Sequence, residues 1–164
     1  MYRQFECCTG TGTEQRKGQP FCGHQQKPGA PGSYTMTREE ILAHVDPGIH
    51  EIHIVGGLHN RWRFEDYLEV IRIVKSARPD LPVKAFTAVE IDFFCRLTKQ
   101  PAEWVLERLR EAGLDALPGG GAEVFSERVR REIFHQKIGA KRWLEIHEIA
   151  HRMGIPSNAT LLYG

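Results

Sequence analysis

The sequence predicts an α/β fold made of about four strand–helix units, and three observations carry that expectation. Short apolar runs bounded by glycine or proline alternate with stretches of helical period. The alternation recurs at intervals of about 30 residues, the rhythm of βαβ units in a parallel sheet. Each apolar run ends in small or polar residues, where the active-site loops of α/β folds sit. Periodicity alone leaves two architectures open, a barrel and a doubly wound sheet.

The elements follow in order. Residues 1–33 are rich in Gly, Gln, Thr and Pro without regular period, and read as an irregular N-terminal segment. Regular pattern occupies 34–164. Thr37-Arg38-Glu39-Glu40 has the form of a capping box, opening a short helix through Val45 that Pro47-Gly48 ends. Glu51 to Val55 is a strand stopped by Gly56-Gly57. Phe64 to Ala77 places Phe64, Tyr67, Leu68, Ile71 and Val74 at helical spacing. Val83 to Val89 is the second strand, and a short helix after Glu90 holds Cys95 as a buried thiol. Ala102 to Ala112 is a helix closed by Gly113. Asp115 to Pro118 is a third strand, Glu127 to Phe134 and Ala140 to Met153 are helices, and Ser157 to Tyr163 is a fourth strand.

Composition narrows the function classes. Lys and Arg number 22 against 21 Asp and Glu, a net charge of +1, so no basic field draws nucleic acid or an anionic membrane. No apolar run approaches the ~18 residues of a membrane span, and the first residues lack a signal-peptide core. A cytoplasmic protein acting on a small molecule is expected. Its four cysteines (Cys7, Cys8, Cys22 and Cys95) are too few and scattered for a secreted disulfide framework, and read as free thiols or metal ligands.

Candidate ligand contacts cluster at strand ends. Thr87 and Glu90 end the second strand, where a hydroxyl and a carboxylate read as substrate contacts; Glu90 reads equally well in the first turn of the next helix, balancing its dipole. His59 faces the same end, either near substrate carboxylates or in solvent. Lys84 is positioned to pair with a carboxylate or to lie at the surface. Gly119-Gly120-Gly121-Ala122-Glu123 opens a helix in this reading. It can present N–H groups to a phosphate or carboxylate but lacks the Lys-Ser/Thr of a P-loop. Asn158 and Thr160 share one face of the last strand at period 2. His147-Glu148-Ile149-Ala150-His151 matches H-E-x-x-H, the zinc-protease pattern. No third His, Glu or Asp ligand follows in the thirteen residues after His151, so packing and surface histidines are expected instead.

Four ordered segments resemble one family: EIHIVGGLH at 51–59, VKAFTAVEID at 83–92, GLDALPGGGAEVF at 113–125 and WLEIHEIAHRMGIPSNATLLYG at 143–164. They are similar to the radical S-adenosylmethionine (SAM) enzymes of the futalosine route to menaquinone and to deazaflavin-cofactor synthases. His53, the run Ala85 to Glu90 and Ser157-Asn158-Ala159-Thr160 resemble the aminofutalosine synthase branch, rather than the sister cyclic dehypoxanthinyl futalosine synthase. The resemblance implies a partial (β/α) barrel of the radical SAM TIM-barrel type. A complete barrel takes about 250 residues, so a fragment of about half is expected.

The resemblance also implies a reaction. A [4Fe–4S] cluster, supplied by an electron donor, cleaves SAM to a 5′-deoxyadenosyl radical. The radical adds to the enolpyruvyl double bond of 3-[(1-carboxyvinyl)oxy]benzoate, and rearrangement with loss of the carboxylate gives 6-amino-6-deoxyfutalosine. By the same likeness, Gly56 and Gly57 admit SAM's amino group. From position, Glu123 reads as holding a ribose hydroxyl or as balancing a helix dipole, and His59, Thr87, Glu90, Asn158 and Thr160 read as the substrate contacts. The family's cluster motif, C-x₃-C-x₂-C, precedes the stretch matched by Pro28 to Thr37. Cys22 falls at its last position as the metal ligand, whereas Gln15 and Gln19 stand where the other two thiolates belong. Impaired activity is expected, and a catalytically inactive relic is the competing expectation.

Overall fold

The computed structural model describes residues 2–7, 35–59, 61–133 and 137–161, with the backbone alone for 2–7 and 133. The expectations for Tyr34, for Cys8, Gln15, Gln19 and Cys22, and for residues 162–164 lie outside the described residues.

Three parallel strands, β1 (Tyr2–Cys7), β2 (Glu51–Gly56) and β3 (Val83–Ala85), form a sheet in that order. Parallel bridges carry it onward from Lys84 to Ala116, and from Leu117 to Ser157. The strand positions therefore succeed one another in chain order, without the order reversal that marks a doubly wound sheet. Of the two architectures left open by periodicity, the sheet takes that of a partial (β/α) barrel wall.

The helices are α1 (Arg38–Ala43), α2 (Phe64–Ala77), α3 (Ala88–Thr98), α4 (Ala102–Ala112), α5 (Glu127–Ile133) and α6 (Ala140–Arg152). Strand alternation decides where the core lies. Ile52, Ile54, Val83 and Ala85 point to one face and are buried beneath the helices. Tyr67, Ile71, Phe94, Leu109 and Ile146 come down onto them at helical spacing. The opposite face of the same strands carries Glu51, His53 and Lys84.

Local signals explain the boundaries. Thr37 caps α1 as a full box: its hydroxyl accepts from Glu40 N–H at 3.2 Å, and Glu40 accepts from Thr37 N–H at 2.7 Å. Gly113 ends α4 at φ 114°, a left-handed conformation that favours glycine. Asp115 ties the following segment to β3, its carboxylate accepting from Val83 N–H and Lys75 Nζ at 2.8 Å each.

Four expectations are corrected. The N-terminal segment is not wholly irregular, since Tyr2–Cys7 pairs in register with Glu51–Gly56. The strand expected over 83–89 stops at Ala85: Phe86 turns to φ 60° and α3 starts at Ala88. The apolar run continues because the next turn is a buried helix start rather than more strand. The glycine-rich turn does not open a helix, since α5 begins only at Glu127. Among the described residues the third and fourth strands reduce to isolated bridges at Lys84–Ala116, Leu117–Ser157 and Glu123–Leu161. Cys95 is a buried free thiol, as expected.

Candidate strand-end site

The C-terminal ends of β2 and β3 are joined through Glu90. Thr87 is the N-cap of α3 and Glu90 its third residue, so the carboxylate reaches back to the cap. Its Oε2 accepts from Thr87 N–H at 2.7 Å and from the Thr87 hydroxyl at 3.0 Å. Its Oε1 accepts from the Gly56 N–H, on the neighbouring strand, at 2.9 Å. Glu90 is only 3% exposed, and burial pushes its carboxyl up to about 7 against the pull of those three donors. Thr87 and Glu90, expected as separate ligand contacts, are thus brought together with Gly56 as one clamp. Of the two readings open for Glu90, the first-turn position is realised.

Beside this clamp lies an apolar recess. Gly56, Gly57 and His59 form one rim, and Trp62, Tyr67 and Phe86 form the wall. His59 is held at this rim, partly buried. Its N–H donates to the Tyr67 hydroxyl at 3.0 Å, its Nδ1 accepts from Arg61 N–H at 3.1 Å, and its ring stacks on Trp62 at 5.0 Å. Burial and the Arg61 charge hold His59 below the ordinary imidazole value, so it presents a neutral ring at neutral pH.

On the sheet face away from the helices, Glu51 receives two partners. His53 Nε2 lies 2.5 Å and Lys84 Nζ 3.1 Å from the same carboxylate oxygen. Burial raises the Glu51 carboxyl, but the hydrogen bonds from Lys84 and His53 outweigh it and leave it below the usual range. Burial, against the pull of Glu51, leaves His53 below its usual value. Lys84 therefore takes the carboxylate-pairing role of its two readings. Its partner Glu51 escaped the sequence argument, although i, i+2 spacing with His53 on a strand was available as a signal.

The remaining candidates lie along the later segments. Glu123, at φ 52°, accepts from Gly121 N–H at 3.3 Å and lies 2.5 Å from Lys137 Nζ. Thr160 donates both its N–H, at 3.1 Å, and its hydroxyl, at 3.0 Å, to the Gly119 carbonyl. Gly119 is packed so closely that an added Cβ would lie 2.2 Å from the Asn158 carbonyl oxygen. Asn158 and Thr160 are themselves exposed. The glycine turn is therefore locked between the last bridged segment and α6, whose Trp143 indole donates to Gly120 O at 3.2 Å.

The H-E-x-x-H histidines converge on a serine that sequence reasoning left out. His147 Nδ1 and His151 Nε2 each lie 2.8 Å from Ser157 Oγ. His147 is buried, its Nε2 has no hydrogen-bond partner among the described residues, and desolvation with the His151 charge lowers it to about 4. Glu148, the would-be base of a zinc protease, accepts from Arg152 at 2.9 Å.

Fit to an iron–sulfur cluster turns on donor chemistry. Three thiolates are required on one loop, and the matched positions offer Cys22 with two neutral carboxamides, Gln15 and Gln19. Among the described residues, no group of three His, Cys, Asp or Glu stands close enough to hold a metal ion. The donor set does not fit a cluster of the C-x₃-C-x₂-C type. Among the described residues, too, no helix is long and apolar enough to cross a membrane.

A sequence profile of the Radical SAM superfamily matches residues 20–164. The chain is 47% identical over 151 residues to aminodeoxyfutalosine synthase of Thermus thermophilus, covering 90% of this chain and 41% of that protein. It is 38% identical over 148 residues to aminodeoxyfutalosine synthase of Streptomyces coelicolor, covering 88% and 38%. It is also 38% identical over 148 residues to 5-amino-6-(D-ribitylamino)uracil--L-tyrosine 4-hydroxyphenyl transferase of Methanopyrus kandleri, covering 88% and 40%. The chain spans about two-fifths of the length of these relatives.

Proposed function

Since the chain belongs to the radical SAM superfamily, we propose that it is a SAM-binding partial barrel of the aminodeoxyfutalosine synthase type. The complete activity of that type transfers the 5′-deoxyadenosyl group of SAM to 3-[(1-carboxyvinyl)oxy]benzoate, giving 6-amino-6-deoxyfutalosine. The observation that carries the reading is the 47% identity to the Thermus thermophilus synthase over 90% of this chain. The likeness to a 4-hydroxyphenyl transferase supports the broader class of SAM-dependent transferases and leaves the acceptor molecule to experiment.

In this reading the Gly56-Gly57 edge receives the amino group of SAM, because a backbone without Cβ atoms permits close approach. The adjoining recess of Trp62, Tyr67 and Phe86 supplies an apolar surface. Glu123 is the residue proposed for a ribose hydroxyl, with Lys137 holding its carboxylate in place. His59 and Asn158 are the proposed substrate contacts. Thr87, Glu90 and Thr160 act by shaping the strand ends, since their polar atoms are engaged within the fold.

A second reading has its own support. Gln15 and Gln19 at thiolate positions favour a chain that keeps the SAM-binding architecture and has lost the metal chemistry. Equilibrium dialysis with labelled SAM tests the part common to both readings. Saturable binding that Gly57→Val abolishes is expected, and absence of binding overturns it.

A further inference from the structure

Glu90 does more than cap a helix. A capping glutamate needs one oxygen for the N-cap backbone, and Glu40 in α1 does this at the surface. At Glu90 the second oxygen is turned inward onto Gly56, and the whole group is buried. Burying a carboxylate is costly where a neutral side chain would serve, so capping alone does not account for it. The three donors fit the ionised form: Gly56 N–H takes one oxygen, and Thr87 N–H with its hydroxyl takes the other. Between the two strand ends stands Phe86, an aromatic residue held at φ 60° with its N–H on Ile54 O at 3.0 Å. A left-handed turn at such a residue is strained and persists only where neighbours over-determine it.

We propose that Glu90 is a positioning residue for the ligand edge at Gly56-Gly57, holding the ends of β2 and β3 in one register without touching the ligand itself. The role rests on the reading that this edge receives SAM. Among the described residues no ionised side chain contributes to the state of this carboxyl. The groups that act on it are burial, the Gly56 N–H from β2, and the Thr87 N–H and hydroxyl at the start of α3. Protonation on Oε1 would set a donor against the Gly56 N–H and release the edge.

A carboxamide cannot replace the clamp. If its oxygen faces Gly56, its NH₂ meets the Thr87 N–H, and the reverse placement loses Gly56. The test compares SAM affinity from pH 5.5 to 8.5 in the full chain, its Glu90→Gln variant and Glu40→Gln, the surface capping control. Hydrogen exchange at the Gly56 amide is followed in parallel, and circular dichroism establishes folding. Expected are wild-type affinity that weakens as pH falls below about 7 and a Glu90→Gln affinity at least tenfold weaker that lacks this fall. Exchange at Gly56 should be faster in Glu90→Gln, and Glu40→Gln should behave as wild type. If Glu90→Gln does not fold, Glu90→Asp keeps the charge but falls short of Gly56, and should show the same loss. Wild-type binding that these variants leave unchanged overturns the positioning role alone. No SAM binding by the wild type overturns the reading beneath it.

Discussion

The Glu90 carboxylate and the Gly56 amide lie 34 residues apart in sequence and 2.9 Å apart in space, with Thr87 on the carboxylate's other oxygen. This contact makes the strand-end site a joint product of two βα units. It also sets how the fold answers to pH. Burial raises the Glu90 carboxyl to about 7 in the folded chain, against about 4.3 for an unfolded glutamate. Between those values the folded state binds more protons, so this group's contribution falls as pH rises from about 4.5 to 7, then levels. The size is on the order of 3 kcal/mol. Denaturant titrations of wild type and Glu90→Gln across this window should differ by that slope, with wild type losing ground as pH rises.

His147 works in the opposite direction. Desolvation lowers it to about 4, below the unfolded value of about 6.5, so the neutral ring's contribution is full above pH 6.5 and lost as pH falls toward 4. Over pH 4.5–6.5 the contributions of Glu90 and His147 oppose each other, while His53 and His59, also held below the ordinary imidazole value, act in the same direction as His147. In Glu90→Gln the His147 slope should emerge as acid destabilisation. In His147→Phe the balance should instead shift, relative to wild type, toward stability falling as pH rises. The phenyl ring keeps the tilted contact with Trp143 but loses the Ser157 bond, a cost of about 1 kcal/mol at pH 8.

Gly119 and Gly120 are adjacent and should respond differently to alanine. At Gly119 a Cβ would lie 2.2 Å from a backbone oxygen of Asn158, whereas at Gly120 the nearest atom is a Thr87 methyl at 3.4 Å. Gly119→Ala is expected to cost about 1–3 kcal/mol through forced backbone shifts, displacing the bridge that Thr160 makes to Gly119. Gly120→Ala should change stability by less than about 0.5 kcal/mol. Thermal melts of the two variants check this.

The H-E-x-x-H match should hold no structural zinc. Both imidazoles spend a nitrogen on Ser157 Oγ, whose single hydroxyl proton goes to one while the other donates to it. Protein purified without chelator should carry far less than one zinc per chain by elemental analysis. A stoichiometric ion that His151→Ala removes would contradict this.

Much of the fold was legible because its punctuation is local. Phe64–Ala77 and Ala102–Ala112 coincide with the helices expected, since periodic apolar positions, Pro101 and Gly113 mark their limits. The Thr37 capping box was equally readable. Strand limits were not. Val83 to Val89 is one apolar run, and nothing in it reveals that Phe86 turns left-handed to start a helix. β1 was missed because Tyr2–Cys7 has little β-branched character, and its pairing with β2 is tertiary. At the site, the Thr87–Glu90 pair follows from spacing, but Gly56 as its third member does not. The same holds for Ser157 between two histidines and for Glu51 beneath Lys84: distance in sequence hides the contact that gives each group its state.

The chain belongs to the radical SAM superfamily, and Gln15 and Gln19 stand where the resemblance places two of three cluster thiolates. Anaerobic reconstitution with iron and sulfide, followed by iron counting and assay of 5′-deoxyadenosine from SAM under reductant, tests most directly whether a cluster still forms. The wild type should bind well under four irons per chain and release no 5′-deoxyadenosine, while the double variant Gln15→Cys, Gln19→Cys should gain iron. Four irons per wild-type chain together with reductive SAM cleavage would contradict the account.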